Sequence, residues 1–345
     1  MTIPSMMTVP RFVGGGKIEF VEKPVPVPAP GPGELLVQVK ANALCGSERG
    51  QFYNGSPHVT PGHEAAGVVA LAGSDTRTPV GTPGAIFLMA FCGQCRSCQL
   101  GHTNQCFAKK GDLGFTRDGG YAPYELVPEN VFFAVGADLP LAHATLLLDI
   151  MGTGGHAIGQ AQKMRPDIES VLVAGAGPIG LGVLAMAKIL LGPDVPVFLT
   201  DRVSYRLALA ERLGGVPVNV AELTAQDALE TAGLHGGADI AIDTSGKAAA
   251  RQTCLSALGK RGVLVCVGHG EGLNVEVSPD LIAPERAVLG SEYFRFDELA
   301  VNLARLREHQ DYLAQIITHR FGVADIQRAF ETFFAGETGK VVIEQ

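Results

Sequence analysis

The pattern of apolar positions divides the chain into two differently organised parts. After residue 170, VLVAG (171–175) and VPVFLTD (195–201) are unbroken apolar runs that predict buried strands, and LGVLAMAKIL between them predicts a helix. The segments YRLALAERLGG, ADIAIDTSG and GVLVCVG continue the alternation of helix and strand. Repeated strand–helix units of this kind predict an α/β fold with a doubly wound parallel sheet.

The N-terminal part has a different pattern. PVPVPAPGP (24–32) contains too many prolines for a helix or a central strand, and we expect an extended lead-in there. GELLVQVKANALCGS (33–47) then alternates apolar and polar positions, and HEAAGVVALAG (63–73) continues the strand-like character. This region is therefore predicted to be mostly β.

A glycine-rich turn follows the first buried strand of the parallel sheet. GAGPIG at 175–180 has the G-x-G-x-x-G spacing, in which the glycines permit a tight turn, close approach of a pyrophosphate and packing of helix on strand. We expect dinucleotide contacts from Gly175, Gly177, Pro178, Ile179 and Gly180. The alternative is a glycine-bearing helix turn that binds no ligand.

The second buried strand ends in Asp201, about twenty residues after the glycines, where a carboxylate accepts hydrogen bonds from an adenosine ribose. This carboxylate would repel a 2′-phosphate, so NAD is expected in preference to NADP. The preference for NAD needs a test because two arginines lie close by in the sequence. Either Arg202 or Arg206 could bind the 2′-phosphate if Asp201 points away.

Charge and composition restrict the possible partners. The chain has 27 basic and 35 acidic residues, a formal charge of −8, and no run of lysine and arginine, which argues against nucleic acid and membrane partners. Residues 170–192 are apolar enough to imitate a transmembrane helix, but their clustered glycines and Pro178 argue against one. The N-terminus shows no secretory signal pattern, so the reducing cytoplasm is the expected location.

Four of the seven cysteines lie in FCGQCRSCQLGHTNQC (91–106), in the pattern C-x2-C-x2-C-x7-C. Four thiolates can converge on one tetrahedral ion and leave no position open for a substrate, which is typical of structural zinc. We considered paired disulfides, an iron–sulfur cluster and four small buried side chains as alternatives. The spacing and the polar surroundings favour a structural zinc lobe at about 91–107, with Cys92, Cys95, Cys98 and Cys106 as ligands.

Taken together, these motifs resemble the zinc-dependent medium-chain dehydrogenase/reductase superfamily, in its alcohol, sorbitol and threonine dehydrogenase group. The resemblance also rests on ALCGSE (43–48), TPGHEAAGVV (60–69), DGGYAPYELVP (118–128), DIMGTGGHA (149–157) and GKVVI (339–343). It implies a GroES-like catalytic domain at 1–148, a Rossmann domain at 149–290, and a C-terminal segment at 291–345 that completes the catalytic domain.

The resemblance also implies a second, catalytic zinc. Its ligands match Cys45, His63 and Asp149, and Glu64 matches a carboxylate that exchanges with water beside the metal. A thiolate, an imidazole and a carboxylate leave one position open for an alcohol oxygen. A hydride then passes between a zinc-bound alkoxide and NAD(H), with a secondary alcohol, polyol or amino alcohol as substrate. Without the resemblance, Cys45 and His63 would be read as core residues.

Further roles are carried over with the resemblance. Ser47 matches the hydroxyl that takes the proton of the alcohol, Thr153 matches a residue near the nicotinamide, and Lys340 aligns with a basic pyrophosphate contact. The alternative for Lys340 is an ordinary solvated surface lysine. Many relatives have aspartate and a relay histidine where this chain has Glu48 and Gly50, so the exit route of the proton differs.

The expected protein is therefore a homodimeric or homotetrameric enzyme with two zinc ions per chain, acting on a small alcohol or ketone. Two alternatives use the same fold: a zinc-independent quinone or enoyl reductase, and a non-catalytic NAD(P)-binding protein. Counting the metal ions per chain separates these alternatives, because only the zinc alcohol dehydrogenase needs both ions.

Overall fold

The computed structural model describes residues 3–26 and 30–345, so part of the predicted lead-in at 24–32 lies outside the described residues. Its strands are, in chain order, β1 (Met6–Gly14), β2 (Lys17–Pro24), β3 (Glu34–Ala43), β4 (Ala65–Ala72), β5 (Pro83–Ile86), β6 (Tyr124–Pro128), β7 (Phe132–Ala134), β8 (Val171–Ala174), β9 (Val197–Asp201), β10 (Val216–Asn219), β11 (Ala238–Asp243), β12 (Leu258–Cys266), β13 (Ala287–Gly290), β14 (Ile317–Gly322) and β15 (Lys340–Glu344).

The α-helices are mostly short, and several are single turns. They are α1 (Arg49–Asn54), α2 (Arg96–Gln99), α3 (Leu141–Ala144), α4 (Gly154–Met164), α5 (Pro178–Leu190), α6 (Ser204–Arg212), α7 (Ala225–Thr231), α8 (Ala248–Ala257), α9 (Glu298–Glu308), α10 (Gln310–Ala314) and α11 (Ile326–Ala335). Within the described residues, no helix has both the length and the apolar character needed to cross a membrane.

A six-stranded parallel sheet forms the second half of the molecule, in the order β10-β9-β8-β11-β12-β13. Alternate side chains of β8 enter different cores: Val171 and Val173 pack with the residues of α5, whereas Leu172 and Ala174 pack with those of α7 and α8. Both faces are therefore covered, which explains why the strands are continuous apolar runs in the sequence. The predicted doubly wound sheet is confirmed.

A mostly antiparallel sheet forms the other half, in the order β14-β15-β3-β4-β5-β7, with β6 paired to β3. β15, near the end of the chain, lies antiparallel beside β3, so that Val342 is opposite Ala43. Because Cys45 follows β3 directly, the C-terminal strand lies beside the segment that carries the first candidate metal ligand. The N-terminal part is therefore β-rich as predicted, and β14 and β15 from later in the chain lie in the same sheet.

An aromatic cluster joins α11 to the N-terminal half. Phe330 of α11 packs edge-on against Phe12 at 4.9 Å between ring centroids and stacks on Phe52 at 5.2 Å, and Tyr121 also packs against it. All four rings are fully or almost fully buried. Aromatic contacts of this geometry add to the burial of apolar area, so this cluster fixes the end of the chain against the sheet that carries the site.

Glu125 of β6 is a buried carboxylate without a partner. It is 1% exposed, and neither carboxylate oxygen has a hydrogen-bond partner among the described residues. Burial and then Asp118 raise its pKa well above the usual range, although Arg117 opposes this. The folded state therefore binds this proton more tightly than the unfolded state, and the resulting stability is lost as the pH rises through the raised pKa.

We expect Glu125→Gln to stabilise the fold at neutral and alkaline pH, by about 1 kcal/mol or more, because the variant has no charge to bury. The gain should shrink as the pH is lowered toward about 4, where the wild-type carboxyl is already protonated. Thermal unfolding across this pH range measures the difference. The exposed Glu211, changed to Gln, is the control and should show no such pH-dependent gain. A destabilised Glu125→Gln at pH 8 would contradict the argument.

Candidate active site and metal centres

The turn after β3 places Cys45 and Glu48 in the interior. Cys45 precedes a single 3₁₀ turn, Gly46–Glu48, and the Cys45 N–H donates to Glu48 Oε2 at 3.4 Å. Glu48 is completely buried and accepts a second hydrogen bond from the Tyr121 hydroxyl at 2.8 Å. Ser47 lies in the same turn but is exposed. The turn thus directs a thiol inward and leaves a hydroxyl at the solvent.

Glu48 also orients His63, which lies just before β4. The Nδ1 atom of His63 is 3.0 Å from Glu48 Oε1, and its Nε2 atom is 3.6 Å from Asp149 Oδ2. A proton on Nδ1, donated to Glu48, leaves Nε2 free to ligate a metal ion, and a carboxylate behind a histidine commonly has this effect. Both carboxylate oxygens of Glu48 therefore have partners at the site: Oε1 faces His63, and Oε2 accepts from Cys45 and Tyr121.

Asp149 approaches from the other side of the cluster, at the start of a π-helical turn, Asp149–Thr153, that leads into α4. Such turns occur often at functional sites. Thr153 is buried, and its hydroxyl donates to Asp149 Oδ1 at 3.4 Å. Gly152 faces the ring of Phe294, where an added Cβ would lie 2.3 Å from ring carbons. Close packing therefore fixes the turn that holds this carboxylate.

These elements bring four predicted residues into one buried cluster. Ligand atoms of Cys45, His63, Glu64 and Asp149 all lie within 4.8 Å of one another. Burial, and then the Asp149 carboxylate, raise the pKa of the Cys45 thiol. Burial also raises the pKa of Asp149. His63 and Lys340 outweigh this effect and hold the pKa of Asp149 below its usual range. The donor set of one sulfur, one nitrogen and carboxylate oxygens fits zinc.

Lys340 lies beside this cluster rather than at the surface. Its side chain is completely buried, and its ammonium contacts Glu64 Oε1. Opposing effects act on it: burial lowers the pKa of Lys340, but Glu64 and Asp149 outweigh this and raise it overall. The alternative of a solvated surface lysine is therefore wrong, because a buried ammonium needs the carboxylate opposite it. A pyrophosphate contact from Lys340 stays a prediction.

The cysteine-rich lobe forms a second cluster. The distances between sulfur atoms are 3.5 Å for Cys95 and Cys98, 3.9 Å for Cys95 and Cys106, and 4.0 Å for Cys92 and Cys98. Four sulfurs bound tetrahedrally at about 2.3 Å from zinc would be about 3.8 Å apart. All seven cysteines of the chain are free thiols, so the alternative of paired disulfides is wrong. The geometry fits a closed zinc site.

Backbone amides point at these sulfurs. The N–H groups of Gln94 and Cys95 donate to Cys92 Sγ at 3.4 and 3.3 Å, and the N–H of Cys92 donates to Cys106 Sγ at 3.2 Å. Hydrogen bonds from the backbone of Cys98 and Phe107 lower the pKa of Cys95 to about 6 against the effect of burial. Amides aimed at sulfur stabilise thiolates, the form that binds metal.

The glycine turn has the geometry that its sequence predicts. Gly175 has φ 97°, which favours glycine, and a Cβ on Gly180 would lie 1.9 Å from the Gly175 carbonyl oxygen. Gly177 caps α5, and Pro178 occupies the first turn of that helix, followed by the half-buried Ile179. The N-terminus of α5, a helix of 13 residues, is therefore open to the approach of an anion.

Asp201, at the end of β9, points toward the glycine turn. Its Oδ2 accepts from the Ala176 N–H at 2.9 Å, and its Oδ1 accepts from the N–H groups of Arg202 and Val203 at 2.7 and 3.0 Å. The Arg202 side chain is exposed, whereas Arg206 Nη1 lies 4.0 Å from Asp201 Oδ2. The carboxylate and one arginine thus lie together at the edge of the turn.

The contacts by which Glu48 and Tyr121 support the site were not predicted from the sequence. In the sequence, Glu48 stood out only as a departure from the pattern of many relatives. In the structure Glu48 faces His63, and Arg49 lies over the ring of Tyr53 at 4.8 Å. The signal for Glu48 was its position three residues after Cys45, since that spacing in one turn places both side chains on the same side. Tyr121 carried no such signal in the sequence.

Comparisons with known proteins agree with this geometry. Residues 31–137 match the alcohol dehydrogenase GroES-like domain family, and residues 178–308 match the zinc-binding dehydrogenase family. An L-threonine 3-dehydrogenase of Shewanella frigidimarina (strain NCIMB 400) is 30% identical over 327 residues, covering 90% of this chain and 92% of that protein.

Two solved structures share the whole fold. A putative zinc-binding dehydrogenase from Sinorhizobium meliloti 1021 bound to NADP is 27% identical, with a TM-score of 0.84 over 99% of this chain and 100% of that chain. A cobalt- and zinc-bound thermostable alcohol dehydrogenase from Pyrobaculum aerophilum is also 27% identical, with a TM-score of 0.81 and the same coverage. The chain therefore belongs to the zinc-dependent medium-chain dehydrogenase/reductase superfamily, and it is an NAD(P)-dependent zinc oxidoreductase that transfers a hydride between an alcohol and the coenzyme.

Proposed function

We propose that Cys45, His63 and Asp149 hold the zinc ion at which the alcohol reacts. The observation that carries this proposal is the convergence of buried donor atoms within 4.8 Å, with His63 Nε2 turned toward Asp149 by Glu48. These three residues would hold a zinc ion, which would supply Lewis-acid chemistry that lowers the pKa of an alcohol, and a nicotinamide coenzyme would supply the hydride acceptor.

Charge supports Asp149 rather than Glu64 as the third ligand. The negative charge of Glu64 is already matched by the ammonium of Lys340, whereas no lysine or arginine within residues 3–26 and 30–345 forms an ion pair with Asp149. A thiolate and the Asp149 carboxylate together balance a dication, with neutral His63 completing the set. Glu64 is therefore proposed as a group that remains beside the metal, with its Oε2 unpartnered among the described residues.

The proton of the alcohol is proposed to leave through Ser47. This hydroxyl is exposed and lies two residues beyond Cys45, in the same turn. Glu48 is unsuitable as a relay because its oxygens accept from Tyr121 and contact His63 in a fully buried position. With Gly50 in place of a relay histidine, the proton passes from Ser47 to water or to a ribose hydroxyl of the coenzyme.

The coenzyme is proposed to bind across the glycine turn, with its pyrophosphate at the N-terminus of α5 and its adenosine ribose at Asp201. Thr153 lies at the metal side, in position to contact the nicotinamide. Domain boundaries at 149 and 290 fit this arrangement, since β8–β13 lie between them and β14 and β15 belong to the other sheet.

Asp201 predicts a preference for NAD. We expect wild-type kcat/KM to be higher with NAD, and Asp201→Asn to raise the ratio of NADP to NAD by about 10- to 100-fold. Two like charges about 4 Å apart repel by about 1 to 4 kcal/mol, and each 1.4 kcal/mol corresponds to about tenfold. Adding Arg206→Ala to this variant should remove most of the gain, because the Arg206 guanidinium lies 4.0 Å from the Asp201 carboxylate. A wild-type preference for NADP would overturn the assignment.

The second metal ion is proposed to be structural, held by the four cysteines of the lobe.

We further propose a homodimer or homotetramer in the reducing cytoplasm. Among the described residues β13 is an edge strand of the parallel sheet, and Val277 and Ile282, which precede it in the chain, are 58% and 66% exposed. An edge strand and exposed apolar side chains support a surface that a second copy covers.

Metal counting with an alcohol screen tests the whole proposal. We expect about two zinc ions per chain and NADH formation from secondary alcohols or polyols. Brief treatment with a chelator should remove about one zinc ion and abolish turnover, because an open coordination position admits the chelator whereas four thiolates exclude it. Re-addition of zinc should restore the rate. Full turnover with one remaining ion in the cysteine lobe would contradict the proposal.

A further inference from the structure

Tyr121 lies behind the candidate metal site, one contact further from the metal ligands than Glu48. Its hydroxyl donates to Glu48 Oε2 at 2.8 Å, and Glu48 Oε1 lies 3.0 Å from His63 Nδ1. Tyr121 and Glu48 are completely buried, and His63 is 4% exposed. The three side chains therefore form a continuous series of polar contacts, which leads from a phenol to a proposed zinc ligand.

The phenol is the closer of two donors to Glu48 Oε2. The Cys45 N–H donates to the same oxygen at 3.4 Å, against 2.8 Å for the Tyr121 hydroxyl. Hydrogen bonds to an ionised group are stronger than those between neutral groups, and a buried carboxylate oxygen is costly when it lacks a donor. Without the phenol, the longer contact from Cys45 would be the remaining donor to this oxygen among the described residues.

The main chain of Tyr121 is fixed against the segment that leads to His63. The Tyr121 N–H donates to the Pro61 carbonyl at 3.1 Å, and the Gly120 N–H donates to the Gly62 carbonyl at 2.8 Å. Gly62 has φ 105°, and a Cβ on it would lie 2.7 Å from the Tyr121 nitrogen. The backbone that carries the phenol is therefore held at a fixed place relative to His63.

Packing also fixes the phenol ring. The ring of Tyr121 stacks on Phe12 at 6.1 Å between ring centroids, and it packs edge-on against Phe330 at 5.7 Å. The Gln345 side-chain amide donates to the carbonyl of Gly120, the preceding residue, at 2.8 Å. Because these contacts set the direction of the hydroxyl independently of Glu48, the phenol can orient the carboxylate rather than follow it.

We propose that Tyr121 is a positioning residue, whose hydroxyl holds the Glu48 carboxylate against His63 Nδ1 and so sets the zinc affinity of the catalytic site. The proposal rests on the catalytic zinc site proposed above. Groups behind a ligating histidine fix its ring orientation and its tautomer, and their loss weakens metal binding. Tyr121 acts on the ligand through Glu48, without contact to the metal ion, the substrate or the coenzyme.

The test compares wild type with Tyr121→Phe after brief chelation has emptied the catalytic site. Zinc is added back in competition with a chromophoric chelator, which gives the dissociation constant of that site. Tyr121→Phe keeps the ring and its packing, so the fold should survive. We expect the dissociation constant to rise about tenfold, at the lower end of the range for groups behind metal ligands. Excess zinc should restore most of the turnover, because the ligands are intact.

Tyr312→Phe is the matched control. Its hydroxyl donates to the Leu213 carbonyl at 2.8 Å, the same length as the bond from Tyr121, but to a neutral acceptor on α10's neighbouring segment. This variant should leave the zinc dissociation constant unchanged. Thermal unfolding of both variants shows how far each hydroxyl stabilises the fold.

A double-mutant cycle shows whether the effect passes through Glu48. Glu48→Ala removes the carboxylate, so Tyr121 loses its contact with the series that ends at His63. Adding Tyr121→Phe to Glu48→Ala should then change the zinc dissociation constant by less than about threefold, against about tenfold in the wild-type background. If Glu48→Ala does not fold, the comparison of Tyr121→Phe with Tyr312→Phe decides by itself.

The outcomes separate this proposal from the one it rests on. An unchanged zinc affinity in Tyr121→Phe overturns the role of Tyr121 and leaves the zinc site standing, even if the melting temperature falls. Equal losses of zinc affinity with and without the Glu48 carboxylate also overturn it. If zinc-loaded wild type holds only the ion of the cysteine lobe, the proposed function fails, and this inference fails with it.

Discussion

Asp149→Asn should abolish most activity while leaving the fold intact. The change replaces an anionic donor by a neutral amide of nearly the same volume, so the packing around the π-helical turn survives. Even partners behind a ligand alter metal affinity or activity by about 10- to 100-fold, and loss of the ligand itself should exceed that range. We expect the zinc content to fall by about one ion per chain and kcat to fall with it. Metal analysis and steady-state kinetics measure both.

The matched control removes the neighbouring carboxylate instead. Glu64→Gln alone would leave the buried Lys340 ammonium unpaired, which costs about 3–5 kcal/mol of stability. The double variant Glu64→Gln/Lys340→Met removes both charges together, and its zinc content should stay close to that of the wild type. If the double variant loses the zinc and Asp149→Asn retains it with full activity, Glu64 is the third ligand.

Cys106→Ser should have the opposite profile, with stability lost and coenzyme binding retained. The residues around the four cysteines are largely polar or exposed, so a metal ion there replaces an apolar core. We expect thermal stability to fall by on the order of 10 °C, which corresponds to a few kcal/mol. Differential scanning calorimetry measures the loss, and titration with NADH monitors the coenzyme site.

Cys266→Ser is the control for this change, because Cys266 is a half-buried thiol at the end of β12, outside the lobe. It should cost much less stability and no zinc. If Cys106→Ser leaves the melting temperature unchanged and destroys turnover, the lobe belongs to the chemistry, and the division into a closed and an open metal centre is wrong.

The roles of residues that act through local backbone geometry or close spacing could be predicted from the sequence. Gly175 has a left-handed conformation, and Gly180 lies too close to the Gly175 carbonyl oxygen for a Cβ. Glycine is the residue that permits each of these. The close spacing of Cys92, Cys95 and Cys98 similarly limits how far apart their sulfurs can lie. Local chemistry therefore predicted the parallel sheet, the coenzyme turn and the cysteine lobe.

The roles of residues that act through contacts between distant positions of the chain could not be predicted in this way. Lys340 meets Glu64 across 276 positions of the chain, and Tyr121 reaches Glu48 across 73. Nothing in the spacing along a single sequence encodes such pairs, because they are set by which strands lie side by side. The resemblance located Cys45, His63 and Asp149, whereas their supporting contacts required the folded chain.

The pairing of β15 with β3 has a consequence for the folding of the chain during its synthesis. The parallel sheet is built from residues between 171 and 290, so its strands are all available before the C-terminal strand Lys340–Glu344 has been synthesised. The buried cluster of Cys45 and Glu64 cannot be completed until that strand arrives, since Lys340 supplies the charge that Glu64 needs. Contacts of such sequence separation form late and slowly. A nascent chain would therefore acquire its coenzyme-binding half first, and a competent catalytic pocket only when translation has passed residue 344.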